Sequence, residues 1–248
     1  ERQRLDLGQA PARELSRVLE EKVGVKLFYE PLGAGLAGAS IRGQFGPAIL
    51  VNNADFPARR NWTLAHEYFH LLTFGSVANS RGPEPVSVCK GGPTDTGKDR
   101  AEQLADAFTA EFLVPRDALH ERLSPLLSEK KVTKEDLVRL ADYFGVSAQA
   151  LLWRVKAIYG LKRDAVISLL GDPEFIYLAR TLRTDYETEP PVGSARFAAL
   201  AIKAARKGEI SRSRLAELLG INVASVGKVL KTFEEEPSDV EVERANSR

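Results

Sequence analysis

The sequence predicts an α+β fold: a small sheet and one histidine-bearing helix at the front, followed by all-α regions. Three observations lead there. Runs of β-branched, aromatic and small residues (VKLFYE, LAGASI, PAILVN) are gathered before residue 53, which is the pattern of short strands. From Pro57 onward the readable segments have helical periodicity. The spacing Ala-x3-Gly-x5-aliphatic, which lets two helices cross closely at a glycine turn, occurs twice, at Ala141, Gly145, Leu151 and at Ala216, Gly220, Val226. The predicted organisation is a front domain over 1–125, a helix-turn-helix-like region over 126–185, a second such module over 195–233, and an acidic tail over 234–248 that is expected to be disordered.

In chain order, APARELSRVLEEK (Ala10–Lys22) reads as an amphipathic helix, with Pro11 in its first turn and Gly24 past its end. Val25–Glu30, Leu36–Ile41 and Pro47–Asn52 read as strands, the last two joined through Gly43 and Gly46. Pro57 then opens the helix that holds NWTLAHEYFHLLTF (Asn61–Phe74), in which Trp62, Ala65, Phe69 and Leu72 form an apolar stripe. A strand directly before that helix can lie along the rim of a cleft, and Ala48, Ile49, Leu50, Val51 and Asn52 are predicted to be a free edge that pairs with an extended peptide.

His66, Glu67 and His70 stand in the order H-E-x-x-H. Two histidines four apart share a helix face, so both imidazoles can reach one ion. Glu67 borders the same cleft as a base for an attacking water. The spacing alone also fits a plain helix with two core or solvated histidines. Asp99–Leu113, ended by Pro115, reads as a second helix with Ala101, Leu104, Ala105, Phe108 and Phe112 buried and with Glu102, Asp106 and Thr109 on another stripe. A catalytic zinc needs a third protein ligand and an open position. Glu102 is the best candidate, and Asp106, one turn on, can accept the outer N–H of a ligating histidine. The ordinary alternative is a solvated acidic face. The stretch Gly75–Lys98, rich in Gly, Pro, Ser and Thr, reads as a long loop. Cys89 within it reads as an incidental thiol, ahead of a temporary zinc ligand, and His120 reads as a surface histidine, ahead of a ligand.

With HEYFH preceded by NWTLA, and with Glu102 opening E-x-x-A-D-x-F-x-A-x-F-L-V-P, the chain resembles the ImmA/IrrE family of zinc metallopeptidases over about residues 10–160. The resemblance implies a minimal gluzincin-like fold, Zn2+ as cofactor, His66, His70 and Glu102 as ligands and Glu67 as base. It implies a protein substrate, a helix-turn-helix repressor or antitoxin-like partner, whose cleavage derepresses stress, phage or mobile-element genes. Long relatives place the peptidase behind a DNA-binding helix-turn-helix. This chain, which opens on Glu1 and contains no methionine, is expected to be the rear portion of such a fusion. Two departures are Asp106, where the family has Asn, and the long loop before Glu102.

Thr133 is predicted to cap a helix that runs to Phe144 and ends at Gly145, and Ala148–Ile158 is the next, carrying Gln149, Trp153, Arg154 and Lys156. Turn signals place a linker near Asp185–Ser194. Beyond it, Phe197, Leu200, Ala201 and Ala204 form a predicted buried stripe, and Ser211 caps the next helix. Residues 196–231 carry eight basic and two acidic side chains, a footprint suited to DNA phosphates or, equally, a solvated face. The alternative function is therefore a helix-turn-helix regulator or antitoxin-like module with a sensory or structural zinc site. A zinc hydrolase of small molecules would use the same residues.

The bulk numbers set few limits. The net charge of +1 gives no global case for nucleic acid or membrane. One cysteine excludes an internal disulfide and fits a reducing, cytoplasmic setting. No apolar run approaches the roughly 18 residues of a membrane span.

Overall fold

The chain enters through α1 (Arg2–Leu5) and a 3-10 turn at Pro11–Arg13. The predicted helix over Ala10–Lys22 is then made of α2 (Leu15–Val18) and a π-helical turn at Leu19–Val23, closed by Gly24 in the left-handed region. The structure, a computed structural model, describes residues 1–33, 35–73, 86–90, 100–129, 132–182 and 194–232, with backbone alone at 86–90, 195 and 232. They fall into two units, Glu1–Pro191 and Val192–Arg248. Most of the Gly75–Lys98 stretch, the Cys89 side chain, residues 185–193 of the predicted linker and the acidic tail lie outside the described residues.

The sheet of the first unit is built from β1 (Lys26–Glu30), β2 (Leu36–Gly43), β3 (Gly46–Asn52) and β4 (Val86–Lys90) in the order β1-β3-β2-β4. The fourth strand lies inside the stretch predicted as loop. The order also overturns the predicted free edge. Ala48–Asn52 pairs parallel with β1, from Lys26↔Ala48 to Glu30↔Asn52, and antiparallel with β2, as in Ser40↔Ile49. The physical reason is apolarity: Ala48, Ile49 and Val51 are all buried, and a strand buried on both faces belongs inside a sheet. The Asn52 side chain is likewise occupied. Its Oδ1 accepts from the amides of Leu32 (3.2 Å) and Ala54 (3.1 Å), and its Nδ2 donates to the Leu36 carbonyl (2.9 Å).

Behind the sheet run α3 (Pro57–Leu72), α4 (Arg100–Leu113), α5 (Arg116–Ser128), α6 (Lys134–Phe144), α7 (Ala148–Tyr159), α8 (Arg163–Leu170) and α9 (Pro173–Thr181). One core joins Leu15, Leu27, Ile49, Leu64 and Tyr68 to Phe112, Leu119, Phe144, Leu151 and Val155. The core therefore crosses residue 125 without a break, and the boundary predicted at 125/126 is not a domain boundary. A neighbouring cluster, Val138, Leu152, Val166 and Phe175, attaches α8 and α9 to the α6–α7 pair. On α4 the predicted stripes exchange two members: Thr109 is fully buried, and Leu104 is 41% exposed.

The second unit comprises α10 (Ala195–Arg206), α11 (Arg212–Leu219), a 3-10 turn at Val223–Ser225 and α12 (Val226–Thr232). Its core is Ala201, Ile202, Leu215, Ala216 and Val226. Leu200, predicted to be buried, is 57% exposed, and its neighbours Ala201 and Ile202 take the core position instead. Among the described residues no helix is long and apolar enough to cross a membrane.

Candidate metal centre

Proline in the first turn of α3 costs no hydrogen bond, since the first amides of a helix have no internal partner. Eight residues on, the helix lies between the sheet and α4, and Thr63 through Tyr68 are all buried. This sandwich separates the motif into two directions. His66 and His70 reach α4, while Glu67 faces β2.

On the α4 side, His66 Nε2 and His70 Nε2 are 3.2 Å apart. Glu102 Oε2 is 3.1 Å from His66 Nε2, and Glu102 Oε1 is 3.2 Å from His70 Nε2. Among the described residues these three form the grouping of His, Cys, Asp and Glu able to hold a metal ion. The separations suit that purpose, because two atoms bound at 2.0–2.1 Å to one tetrahedral zinc lie about 3.4 Å apart. A set of two imidazoles and one carboxylate leaves a position open, as catalytic rather than structural zinc sites do. Access exists as well: the Glu102 side chain is 31% exposed and that of His70 13%, against 2% for His66. The hydrogen-bonding imidazoles of His66 and His70 hold the Glu102 carboxyl far below the usual carboxylate range, so it stands as the anion a cation requires. Asp106 Oδ1 lies 3.3 Å from His66 Nδ1. A proton on Nδ1 toward that carboxylate leaves Nε2 as the lone-pair donor.

On the β2 side, Glu67 is fully buried, and Oε2 accepts a 2.6 Å hydrogen bond from the Ser40 hydroxyl. Among the described residues Glu67 Oε1 is buried without a hydrogen-bond partner. Burial pushes the Glu67 carboxyl up, and the Ser40 bond pulls it partly back. The two oxygens are thus unequal: one is held in place and the other is available to take a proton.

Ser40 and its neighbour Gly38 were missed in the sequence. A Cβ on Gly38 would stand 2.5 Å from Thr63 Cγ2 and 2.7 Å from the Leu50 carbonyl, so β2 can lie this close to α3 only with glycine there. The usable signal was alternation. Gly38, Ser40 and Arg42 share one face of β2, and that face meets Thr63, Glu67 and the Leu71 carbonyl, to which Arg42 donates at 3.2 Å.

Other candidates stand elsewhere. Tyr68 is buried, and its hydroxyl is bonded to Glu1 and Arg4. His120 is exposed on α5, with its Nδ1 3.2 Å from the Tyr159 hydroxyl.

A comparison of the whole chain with curated proteins finds no match. The sequence model of the Peptidase_M78 family, described as an IrrE N-terminal-like domain, matches residues 20–156. Those residues hold all four strands, α3 with His66, Glu67 and His70, and α4 with Glu102. Because the match spans more than half of the chain and takes in every one of these site residues, the protein belongs to the Peptidase_M78 family.

Proposed function

We propose that the protein is a zinc-dependent metalloendopeptidase of the ImmA/IrrE type that cleaves a helix-turn-helix repressor or antitoxin-like partner. The observation carrying this reading is the convergence of His66 Nε2, His70 Nε2 and the Glu102 carboxylate within 3.2 Å of one another, beside a buried glutamate with one oxygen unpartnered among the described residues. A zinc ion on these ligands supplies a Lewis acid that polarises the scissile carbonyl and acidifies the attacking water. Glu67 Oε1 takes the proton of that water and delivers it to the departing amine nitrogen as the peptide C–N bond breaks. Ser40 keeps the other oxygen, and with it the carboxylate plane, fixed through both transfers. Asp106, 3.3 Å from His66 Nδ1, favours the tautomer protonated on that nitrogen.

An extended substrate needs a sheet edge near the ligands. The strand β4 pairs with β2 on one side and contacts α3. Its outer side is the position we assign to the substrate backbone, in place of Ala48–Asn52. The choice of substrate class rests on family membership.

The test combines metal analysis with one isosteric variant. Purified protein is expected to hold about one zinc per chain, and Glu102→Ala to lose it. Glu67→Gln is expected to keep the zinc while cleavage of a co-purified or co-expressed repressor falls by roughly 10²–10⁴-fold. Cleavage that survives in Glu67→Gln, or zinc retained in Glu102→Ala, overturns the assignment.

A further inference from the structure

The second unit presents a surface that peptide hydrolysis does not use. Lys203, Arg206 and Lys207 stand at i, i+3 and i+4 on α10 and its C-cap, so they are neighbours on one helix surface. The Arg206 guanidinium donates to the Leu230 carbonyl at 2.6 Å. That bond ties the end of α10 to the last turn of α12, where Lys228 and Lys231 are three residues apart. Cations from two helices therefore meet at one junction, and all five are exposed. Of the two acidic residues of the unit's helical part, Glu217 lies 2.6 Å from Arg214, and Glu209 lies 3.7 Å from Lys207 in a loose, solvent-exposed pair that a phosphate can replace. From Asn222 to Lys231 the chain has no Asp or Glu.

The leading end of this helix pair adds a second feature. After the Gly220 turn, Asn222, Val223, Ala224 and Ser225 are all exposed. None of them carries a long side chain that would keep the backbone out of a groove. Among the described residues of the unit, the large apolar side chains counted as exposed are Leu200 and Val223. Two such side chains do not make the apolar centre a protein interface is built on. Exposed cations on two joined helices, beside a slim helical end, suit a duplex, with its regularly spaced phosphates and a groove wide enough for a helix.

We infer that the second unit binds double-stranded DNA through its phosphates, with Lys203, Lys207, Lys228 and Lys231 as the contacts and Arg206 fixing the two helices that carry them. The middle of α12 offers no Arg, Asn or Gln to base edges, so recognition is dominated by the backbone rather than by sequence. This inference is independent of the peptidase assignment.

The experiment uses the full chain and a fluorescein-labelled, mixed-sequence duplex of about two helical turns, with anisotropy followed from about 50 to 200 mM KCl. Micromolar binding is expected at the low-salt end, with a slope of log K against log salt of about −3 to −4 for four phosphate contacts. Lys203→Ala with Lys207→Ala reduces that slope by about 2. Lys228→Glu with Lys231→Glu weakens binding at least ~10-fold at low salt. Lys162→Glu, in the first unit, and Glu67→Gln leave it unchanged, which separates this result from any failure of the peptidase reading. Circular dichroism confirms that each variant is folded. The inference is overturned by absence of binding up to ~100 μM protein at the lowest salt. It is also overturned by binding that these four lysines do not govern, or by phosphatidylserine vesicles being bound through the same lysines when the duplex is not.

Discussion

In α6–α7 and in α11–α12 a glycine ends the first helix in the left-handed region, at φ 64° for Gly145 and 63° for Gly220. The amides at and after each glycine bond back to equivalent carbonyls, Asp142 and Ala141 in one pair, Glu217 and Ala216 in the other. Beyond the turn the two pairs diverge. Gly145 is buried, and its carbonyl accepts from Asn61 Nδ2 at 2.9 Å, which fastens the turn to α3, the helix of His66 and His70. Its second helix puts Leu151 and Val155 into the main core. Arg154, a cation on the second helix of this pair, is 12% exposed, bonded to the Val114 carbonyl at 3.0 Å and paired with Glu111. Gly220 is exposed, and from α12 Val226 alone joins the buried core cluster. The difference teaches that the Ala-x3-Gly-x5-aliphatic spacing specifies a turn and no more. Whether the second helix packs or binds depends on what its other faces carry.

Removing the core anchor of each second helix gives the largest effects. Leu151 has no exposed surface, and Leu151→Ala is expected to lower stability by about 3 kcal/mol. Urea titration followed by tryptophan fluorescence reads this, since both tryptophans, Trp62 and Trp153, lie in the first unit. Val226→Ala removes less side chain and is expected to cost about 2 kcal/mol. The second unit has no Trp or Tyr, so amide hydrogen exchange over 195–232 is the measurement. A loss under about 1 kcal/mol at Leu151 would break the contrast, because α7 would then not be part of the core.

Next come the glycines themselves. Left-handed backbone costs a residue with a Cβ about 1–2 kcal/mol, so Gly145→Ala and Gly220→Ala are both expected to destabilise by that amount. Asparagine tolerates this conformation better. At exposed Gly220 it should recover most of the loss, and at buried Gly145 it should not, because the amide would be buried as well. Equal recovery at both sites would mean that the two turns are alike in environment after all.

What the sequence disclosed follows the range of the interactions. The metal-ligand spacing on α3, the strand runs and the caps at Thr133, Ser211, Gly145 and Gly220 depend on residues a few positions apart, and all were readable. Glu102 was readable because an acidic residue opening a second apolar helix has few alternatives. Strand order was not readable, since a parallel β1–β3 pairing and a fourth strand 34 residues after Asn52 are long-range choices. Ser40 was hidden for the same reason: a serine in a strand acquires its role only when α3 lies across it. Leu104 and Leu200 were placed in the core by periodicity, yet the stripe that is buried depends on which neighbour covers the helix, and the sequence does not state that.

The smallest contrast is between the caps. Thr133 Oγ1 accepts from the Asp136 amide, and Asp136 Oδ2 in turn accepts from the Thr133 amide at 2.9 Å, a closed capping box. Ser211 accepts from the Arg214 amide at 3.1 Å, and Arg214 has no carboxylate to give back. Thr133→Ala and Ser211→Ala are each expected to cost about 1 kcal/mol at neutral pH. Their pH dependence should differ. The hydroxyl and amide of Thr133 hold the Asp136 carboxyl below its ordinary value. A carboxyl depressed in the folded state stabilises fully above its unfolded pKa, near 3.9, and loses that contribution as pH falls through the folded value. Acidification should therefore shrink the penalty of Thr133→Ala by the share that Asp136 carries and leave that of Ser211→Ala unchanged. Urea titrations at neutral and acidic pH measure the first, and hydrogen exchange the second. A Ser211 penalty that also falls with acid would show that the acid effect belongs to helix ends in general and not to the returned carboxylate.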